Sequence, residues 1–226
     1  MDFGIMLSDS FEYAKEAVME KWVKWILLAI PFMTQGYSIQ VFKGTKPAPE
    51  INDWVANFIN GIKLFIVGFV YAIPLIIIAV IFFLGAILAG ISRSSTGNPT
   101  AGFAAAIGAA LIGVLLFVIL LIIILLLLPI AYVRFARTDN FGEAFNISAV
   151  LAHIGKIGWV SYIIALIVGI IAIIVIEIII TIPYVILMMI PFVGFLLALL
   201  WSLIMAVPVG IFAARYFTQI YDSVAA

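Results

Sequence analysis

Residues Val114 to Leu128 read VLLFVILLIIILLLL, fifteen consecutive apolar side chains without one hydrogen-bonding group. A hydrocarbon core about 30 Å thick is crossed by roughly 20 apolar residues in an α-helix rising 1.5 Å per residue. The run reaches that length and passes it as Phe103 to Val133. Leu64–Ile91 and Phe192–Ala214 pass the same test without a charge, and Ile157–Pro183 is interrupted only by Glu177. Composition agrees: 67% of the 226 residues are hydrophobic and 10% are charged, against about 45–50% and 25% in soluble domains. A water-soluble globule is excluded. The expectation is an all-α integral membrane protein, one membrane domain over 1–226 with a bundle of four transmembrane helices at 64–91, 103–133, 157–183 and 192–214. Backbone groups in lipid must be satisfied within the segment, which favours helices.

Residues 25–42 pose a separate problem. The apolar part, Trp25 to Met33, is too short to cross, and Pro31 and Thr34-Gln35-Gly36 interrupt it. It is either a short fifth span or a re-entrant hairpin. If it does not cross, Lys15, Lys21, Lys24, Lys43, Lys46, Lys63, Arg134, Arg137, Lys156 and Arg215 share one side, and Arg93 alone is left opposite. That asymmetry is of the kind that orients membrane proteins with their basic side in the cytoplasm. The reading therefore places a multi-pass chain in the plasma membrane with both termini cytoplasmic. Residues 1–24 are too charged for a cleavable signal peptide.

Amphipathic helices are expected between the spans. In residues 1–24, Asp9 with Glu12 has the form of a capping box. Phe11, Ala14, Val18, Trp22 and Trp25 make one stripe opposite Glu12, Lys15, Glu16 and Glu20. A second such helix is expected over 141–156. Phe141, Ala144, Phe145, Ile147, Leu151 and Ile154 would form its apolar face, and Glu143, Asn146, His153 and Lys156 its polar stripe. A third, short one would follow Pro49, with Asn52 as N-cap and Trp54 and Phe58 on one face. Trp22, Trp25, Trp54 and Trp159 are the expected interfacial anchors, since amphipathic rings settle at the headgroups. A weak echo also runs through the chain. Trp22-Val23-Lys24-Trp25-Ile26 and Trp159-Val160-Ser161-Tyr162-Ile163 each open an apolar run, and Ile30-Pro31-Phe32 recurs as Ile190-Pro191-Phe192. It is short, and coincidence accounts for it at this level.

The chemistry-bearing residues are few. Glu177, with Thr181 one turn on, is the intramembrane polar candidate. A charge at the bilayer centre costs roughly 2.5–3.5 kcal/mol, so it should face protein or water. It serves either as a hydrogen-bonding strut between helices or as a proton or cation site. Ala101, Ala105, Ala109 and Gly113 recur every four residues, and Ala86 with Gly90 do the same in the preceding span. Small residues at this spacing let helices approach closely, within the chain or between subunits. No cysteine is present and His153 is the single histidine, so no metal site, no cofactor and no catalytic residues are assigned. The eleven basic and eleven acidic residues give no reason to expect nucleic acid.

Several short motifs occur in a familiar order: Asp9-Ser10-Phe11, Gly36-Tyr37, Pro49-Glu50-Ile51-Asn52-Asp53-Trp54, Phe58 with Gly61-Ile62-Lys63, Tyr71 with Pro74, Leu128-Pro129-Ile130-Ala131, and Phe141 with Ala144-Phe145. Together they resemble a family of polytopic membrane proteins, common in methanogenic archaea and found in some bacteria, known only as a domain of unknown function. The resemblance covers nearly the whole chain. It implies a prokaryotic, archaeal plasma membrane and brings no catalytic or binding residues with it. The functional expectation is a non-enzymatic protein with a structural, assembly or membrane-organising role, partnered by lipid and by further copies or another membrane protein. The alternative is a small transporter or channel using Glu177.

Overall fold

The computed structural model describes the backbone of residues 1–96 and 99–224, and the side chains there except at positions 86, 89–106 and 109. In chain order the helices are α1 (Phe3–Val18), α2 (Trp22–Leu28), α3 (Met33–Phe42), α4 (Trp54–Thr96) and α5 (Pro99–Thr138). A 3-10 turn (Phe141–Phe145) follows, then α6 (Ile147–Ile157), α7 (Trp159–Met188) and α8 (Gly194–Asp222). No strand occurs among the described residues. Parts of α4, α5, α7 and α8 are long and apolar enough to cross a membrane. Of their most apolar windows, only 17% (α4, α5 and α7) or 22% (α8) is buried within the chain, so most of that surface is left for lipid.

The helices overrun the apolar stretches at their charged ends, and the caps explain where they start. Asp2, not Asp9, caps α1, its carboxylate accepting from the Ile5 N–H at 3.1 Å. Asp9 lies inside the helix, so the expected Asp9–Glu12 capping box does not form. Asp53, not Asn52, caps α4 by accepting from Ala56 N–H at 2.9 Å, and the short helix expected after Pro49 is the first turns of α4. The predicted 141–156 helix is divided, because Asn146 leaves helical geometry and caps α6 through Ala149 N–H. The apolar stripe of the N-terminal segment is likewise split between α1 and α2, with Glu20 at φ 62° between them. Ala14 and Val18 are buried, whereas Phe11 and Trp22 face outward.

Packing divides the chain into two compact units, residues 1–67 with 129–226, and residues 68–128. The second unit comprises the inner lengths of α4 and α5. Here Gly113 lies under the Phe82 ring, where an added Cβ would stand 2.3 Å from ring carbons. Ala86, Gly90, Ala101, Ala105 and Ala109, the rest of the expected small-residue seam, lie outside the described side chains. Gly113 shows the close approach that such spacing permits.

In the first unit α8 is the spine, and α1, α3 and α7 pack along it. Hydrogen bonds set the levels. Gln219 Nε2 donates to the Met6 carbonyl, Thr218 Oγ1 to Val41, Tyr216 Oη to Ala165, Trp25 Nε1 to Ile204 and Trp201 Nε1 to Ile180. Helix α7 thus runs antiparallel to α8, α1 runs antiparallel along its C-terminal half, and α3 runs parallel to that same half. Val207, Ile211, Tyr216 and Ile220 are fully enclosed as a result.

Helices α2 and α3 form one bent pair, turned by 106°. Lys21, just before the pair, meets Glu50, just after it, at 2.6 Å. The two ends of residues 25–42 are thereby brought together, and the segment is a bent hairpin. Its turn places Phe32 at φ 69°. The broken helix finds its partners locally: Thr34 Oγ1 donates to Leu28 O at 2.7 Å and Asn57 Nδ2 to Met33 O at 2.9 Å. A break in a helix leaves backbone groups that need such partners. The Ile-Pro-Phe echo has a structural counterpart here. In the α7–α8 turn Phe192 is also left-handed, at φ 64°. The residue before each Ile-Pro bonds back in the same register, Ala29 N–H to Ile26 O and Met189 N–H to Ile186 O. Sequence alone left this repeat to coincidence; the two copies build the same kind of turn.

The hairpin seats against α4 through two glycines. A Cβ on Gly36 would lie 1.8 Å from the Asn57 carbonyl oxygen, and one on Gly61 1.8 Å from that of Phe32. Backbone cannot retreat as a flexible side chain can. Gly36→Ala and Gly61→Ala are each expected to destabilise the protein by about 3 kcal/mol or more. Thermal unfolding of the detergent-solubilised variants measures this, and Gly155→Ala, facing open space, serves as the neutral control.

Candidate functional site: a charged collar and a polar cleft

The basic residues that the sequence put on one side are gathered in the first unit, where most of them are paired. Arg215, on the buried C-terminal half of α8, donates from Nε to Asp9 at 2.7 Å, and Lys46 reaches the other Asp9 oxygen at 2.5 Å. The Arg215 guanidinium also stands over the Tyr13 ring at 5.2 Å, and Tyr13 Oη donates to Thr45 O. Burial alone would raise the Asp9 carboxyl, but the hydrogen bonds and charges of Arg215 and Lys46 outweigh it and hold Asp9 below the usual carboxylate range. Burial pushes the Tyr13 phenol up to about 12.

Around this centre, Arg137 donates to Phe42 O and to both oxygens of Asp222, and Lys43 meets Asp139. Arg134 pairs with Glu143 of the 3-10 turn, and its hydrogen bond pulls that carboxyl down. Lys24 is buried on α2, donating to Pro49 O at 2.7 Å while sitting 4.9 Å from the Tyr37 ring centre. With Lys21–Glu50, whose hydrogen bond lowers the Glu50 carboxyl, it clasps the hairpin shut. The sequence reading missed this clasp. The signal was there: Lys24 sits between Trp22 and Trp25, a place for a lysine only if its ammonium finds acceptors.

The expected anchors divide. Trp22 and Trp25 stack with centroids 5.4 Å apart, Trp22 facing outward and Trp25 bonded to α8. Trp54 opens α4 and Trp159 opens α7, where it is exposed. On α6, Val150 and Ile154 are buried, whereas Ile147 and Leu151 remain exposed, as does Phe141 of the preceding 3-10 turn. His153, expected on the polar stripe, stacks on Tyr221 at 3.9 Å and bonds its carbonyl.

Glu177 and Thr181 lie together on α7, and Thr181 Oγ1 donates to the Glu177 backbone carbonyl at 2.7 Å. Their side chains are exposed rather than enclosed in the bundle. With Tyr184, Trp201, Ser202 and Met205 they line a cleft of about 260 Å³ between α7 and α8. An apolar hollow of about 620 Å³ on the same helix shares both residues and is otherwise walled by isoleucine and valine. Since Ile180 is bonded to Trp201, Glu177 stands near the level of Ile204, the residue whose carbonyl takes the Trp25 indole. Along the bundle, Glu177 is thus on the level that the Trp25 indole reaches. Among the described residues no cluster of three or more His, Asp or Glu could hold a metal.

Two outcomes follow. Asp9→Asn leaves the buried Arg215 without a counter-charge and is expected to cost about 2 kcal/mol, seen as a lower unfolding midpoint in detergent, with Asp9→Asn/Arg215→Met recovering part of it. Because the folded Asp9 is depressed, the same stability is present above the ordinary carboxylate range and is lost as pH falls through the folded value. His153 faces Tyr221, Lys156, Arg134 and Asp222. Burial, with Lys156 and Arg134, holds it below the 6.5 of a free imidazole, against the Tyr221 carbonyl and Asp222. Docking of α6 should therefore weaken at acid pH, as amide hydrogen exchange in α6 would report, and His153→Phe should remove that dependence.

Residues 24–185 match the family described as protein of unknown function (DUF4013). No curated protein and no solved structure matches the chain. The match covers the bent hairpin from Lys24 on, α4 to α6 and most of α7, and the Gly36-Tyr37, Pro49-Glu50 and Gly61 motifs fall on the contacts that close the hairpin. The chain is a member of this DUF4013 family of unknown function.

Proposed function

We propose that the protein is a non-catalytic membrane-organising component of a prokaryotic plasma membrane, with both termini in the cytoplasm, working with lipid and with further copies or a membrane partner. The observation that carries this reading is the collar. Helices α1 and α2 are fastened to α8 by buried polar contacts while Ile5, Phe11, Met19, Trp22, Val23 and Ile26 point outward. Such a surface suits the headgroup boundary, where apolar faces sink and charged ones stay wet. It belongs to the unit that holds ten of the eleven basic residues, which supports the cytoplasmic assignment. The family resemblance supports a prokaryotic, archaeal cell. No catalytic chemistry is assigned.

A second reading, transport through the α7–α8 cleft, is favoured by one observation: Glu177, Thr181, Tyr184 and Ser202 converge there. Against it, the cleft is walled by two neighbouring helices and holds one acid, whereas ion relays use several ionisable groups. Two measurements separate the readings. In detergent, light scattering of the full chain should give a particle of more than one copy or one carrying a partner, unchanged by Glu177→Gln. In proteoliposomes, an imposed pH gradient should decay at the same rate with wild type, Glu177→Gln or empty vesicles. A lone monomer overturns the first reading; a flux that Glu177→Gln abolishes establishes the second.

A further inference from the structure

The Ile180 carbonyl takes the Trp201 indole N–H at 3.0 Å, and this bond sets the register of α7 against α8. Glu177, Thr181 and Tyr184, spaced by four and then three residues, share one face of α7. Ser202 and Met205 meet them from α8. We infer that this cleft and the apolar hollow beside it form one binding site for an amphiphile, a primary ammonium head carried on an alkyl chain, with Glu177 holding the head. Such a ligand occupies the cleft without passing through the membrane, and its binding is independent of the collar.

The chemistry of the head follows from where the hydrogens of the cleft already point. Thr181 Oγ1 donates to the Glu177 carbonyl at 2.7 Å, Ser202 Oγ to the Leu199 carbonyl at 2.8 Å, and the Trp201 indole to Ile180. These donors are engaged with backbone, while both hydroxyl oxygens keep acceptor lone pairs. Among the described residues nothing donates to the Glu177 carboxylate, and the Tyr184 hydroxyl is free. The cleft thus offers a carboxylate and hydroxyl oxygens, and it lacks donors. An ammonium brings a counter-charge and three N–H groups, and charge-assisted hydrogen bonds are roughly twice as strong as neutral ones. A phosphate or carboxylate head would set a second negative charge beside Glu177. A quaternary ammonium has the charge but no N–H.

The chemistry of the tail follows from the hollow. It shares Glu177 and Thr181 with the cleft and is otherwise walled by Ile173, Ile174, Ile178, Ile182, Val185 and Ile186. Its volume of about 620 Å³ falls among the roughly 300–1,000 Å³ of small-molecule sites. From Glu177 to Ile186 the helix rises about 14 Å, close to half of the roughly 30 Å hydrocarbon core, the length that one leaflet's acyl chain covers. A carboxylate set among isoleucines loses hydration that hydrocarbon does not replace. A head docked in the cleft replaces it, and the attached chain covers the isoleucines. Head and tail are joined at Glu177 and Thr181, the two residues common to both spaces.

Two sources carry this chemistry, a free long-chain amine and the headgroup of an aminophospholipid. Native mass spectrometry of the full chain in a maltoside detergent at neutral pH is titrated with dodecylamine, dodecanol, dodecyltrimethylammonium and dodecyl phosphate. Saturable binding of dodecylamine is expected, with the other three at least about tenfold weaker. Glu177→Gln should weaken dodecylamine by at least about tenfold and abolish its advantage over dodecanol, and Ser202→Ala should weaken it a few-fold. Glu177 is exposed, so both variants should keep the wild-type unfolding midpoint. Displacement of dodecylamine by phosphatidylethanolamine but not by phosphatidylcholine would support the site with a lipid headgroup as its source. Displacement by neither would support it with a free amine. Dodecanol binding as tightly as dodecylamine, or dodecylamine binding unchanged in Glu177→Gln, would overturn the inference. A particle that loses a copy in Glu177→Gln would make a second chain the occupant and would overturn it equally.

Discussion

Everything in this fold answers to the absence of water as a hydrogen-bond partner for backbone inside lipid. Continuous helices meet the requirement by themselves, and the four long ones do. The break at residues 29–32 cannot, and there Thr34 and Asn57 supply donors for the carbonyls of Leu28 and Met33. Asn57 can do so because Gly36 and Gly61 let α3 and α4 touch at backbone distance. Losing one methylene of clearance would separate donor from acceptor, and an unsatisfied carbonyl in an apolar setting costs several kcal/mol. The clasp of Lys21, Lys24 and Glu50 then holds shut what those bonds make possible.

The same constraint explains which parts of the molecule could be read from sequence. Long uninterrupted runs such as Val114–Leu128 announce helices because nothing else is viable there. The bent pair at 25–42 was legible as an interruption, and the Lys21–Glu50 contact that joins its two ends was not. What escaped was determined by distant partners. Asp9 has the spacing of a capping residue, yet Arg215, 206 positions away, claims it. Phe11 belongs to a helical stripe by period, but Glu20 ends that helix and redirects the chain, leaving Phe11 on the outside. Short amphipathic segments carry two apolar surfaces, and periodicity cannot tell the one facing protein from the one facing lipid.

The site was legible to a smaller degree. Glu177 and Thr181 were singled out correctly as neighbours, and they share one cleft. What residue count along α7 could not give is which residues of the other helices share their level. The level was set by Trp201, Ile204 and Trp25, on two other helices. The buried Lys24 illustrates the complementary gap. Its acceptors, Pro49 and Tyr37, arrive only when the chain returns.

The pairing of Arg215 with Asp9 has a bearing on how the protein is made. Helix α1 leaves the ribosome well before α8, yet the groove it occupies is built by α8, translated some 200 residues later. Synthesis proceeds from the N-terminus at roughly 5–20 residues per second, so α1 and the hairpin wait undocked for tens of seconds with their inner faces bare. A chain interrupted before α8 is left in that half-assembled condition. Its unclaimed Ala14, Ala17 and Val18 would then mark it for capture by chaperones and proteases.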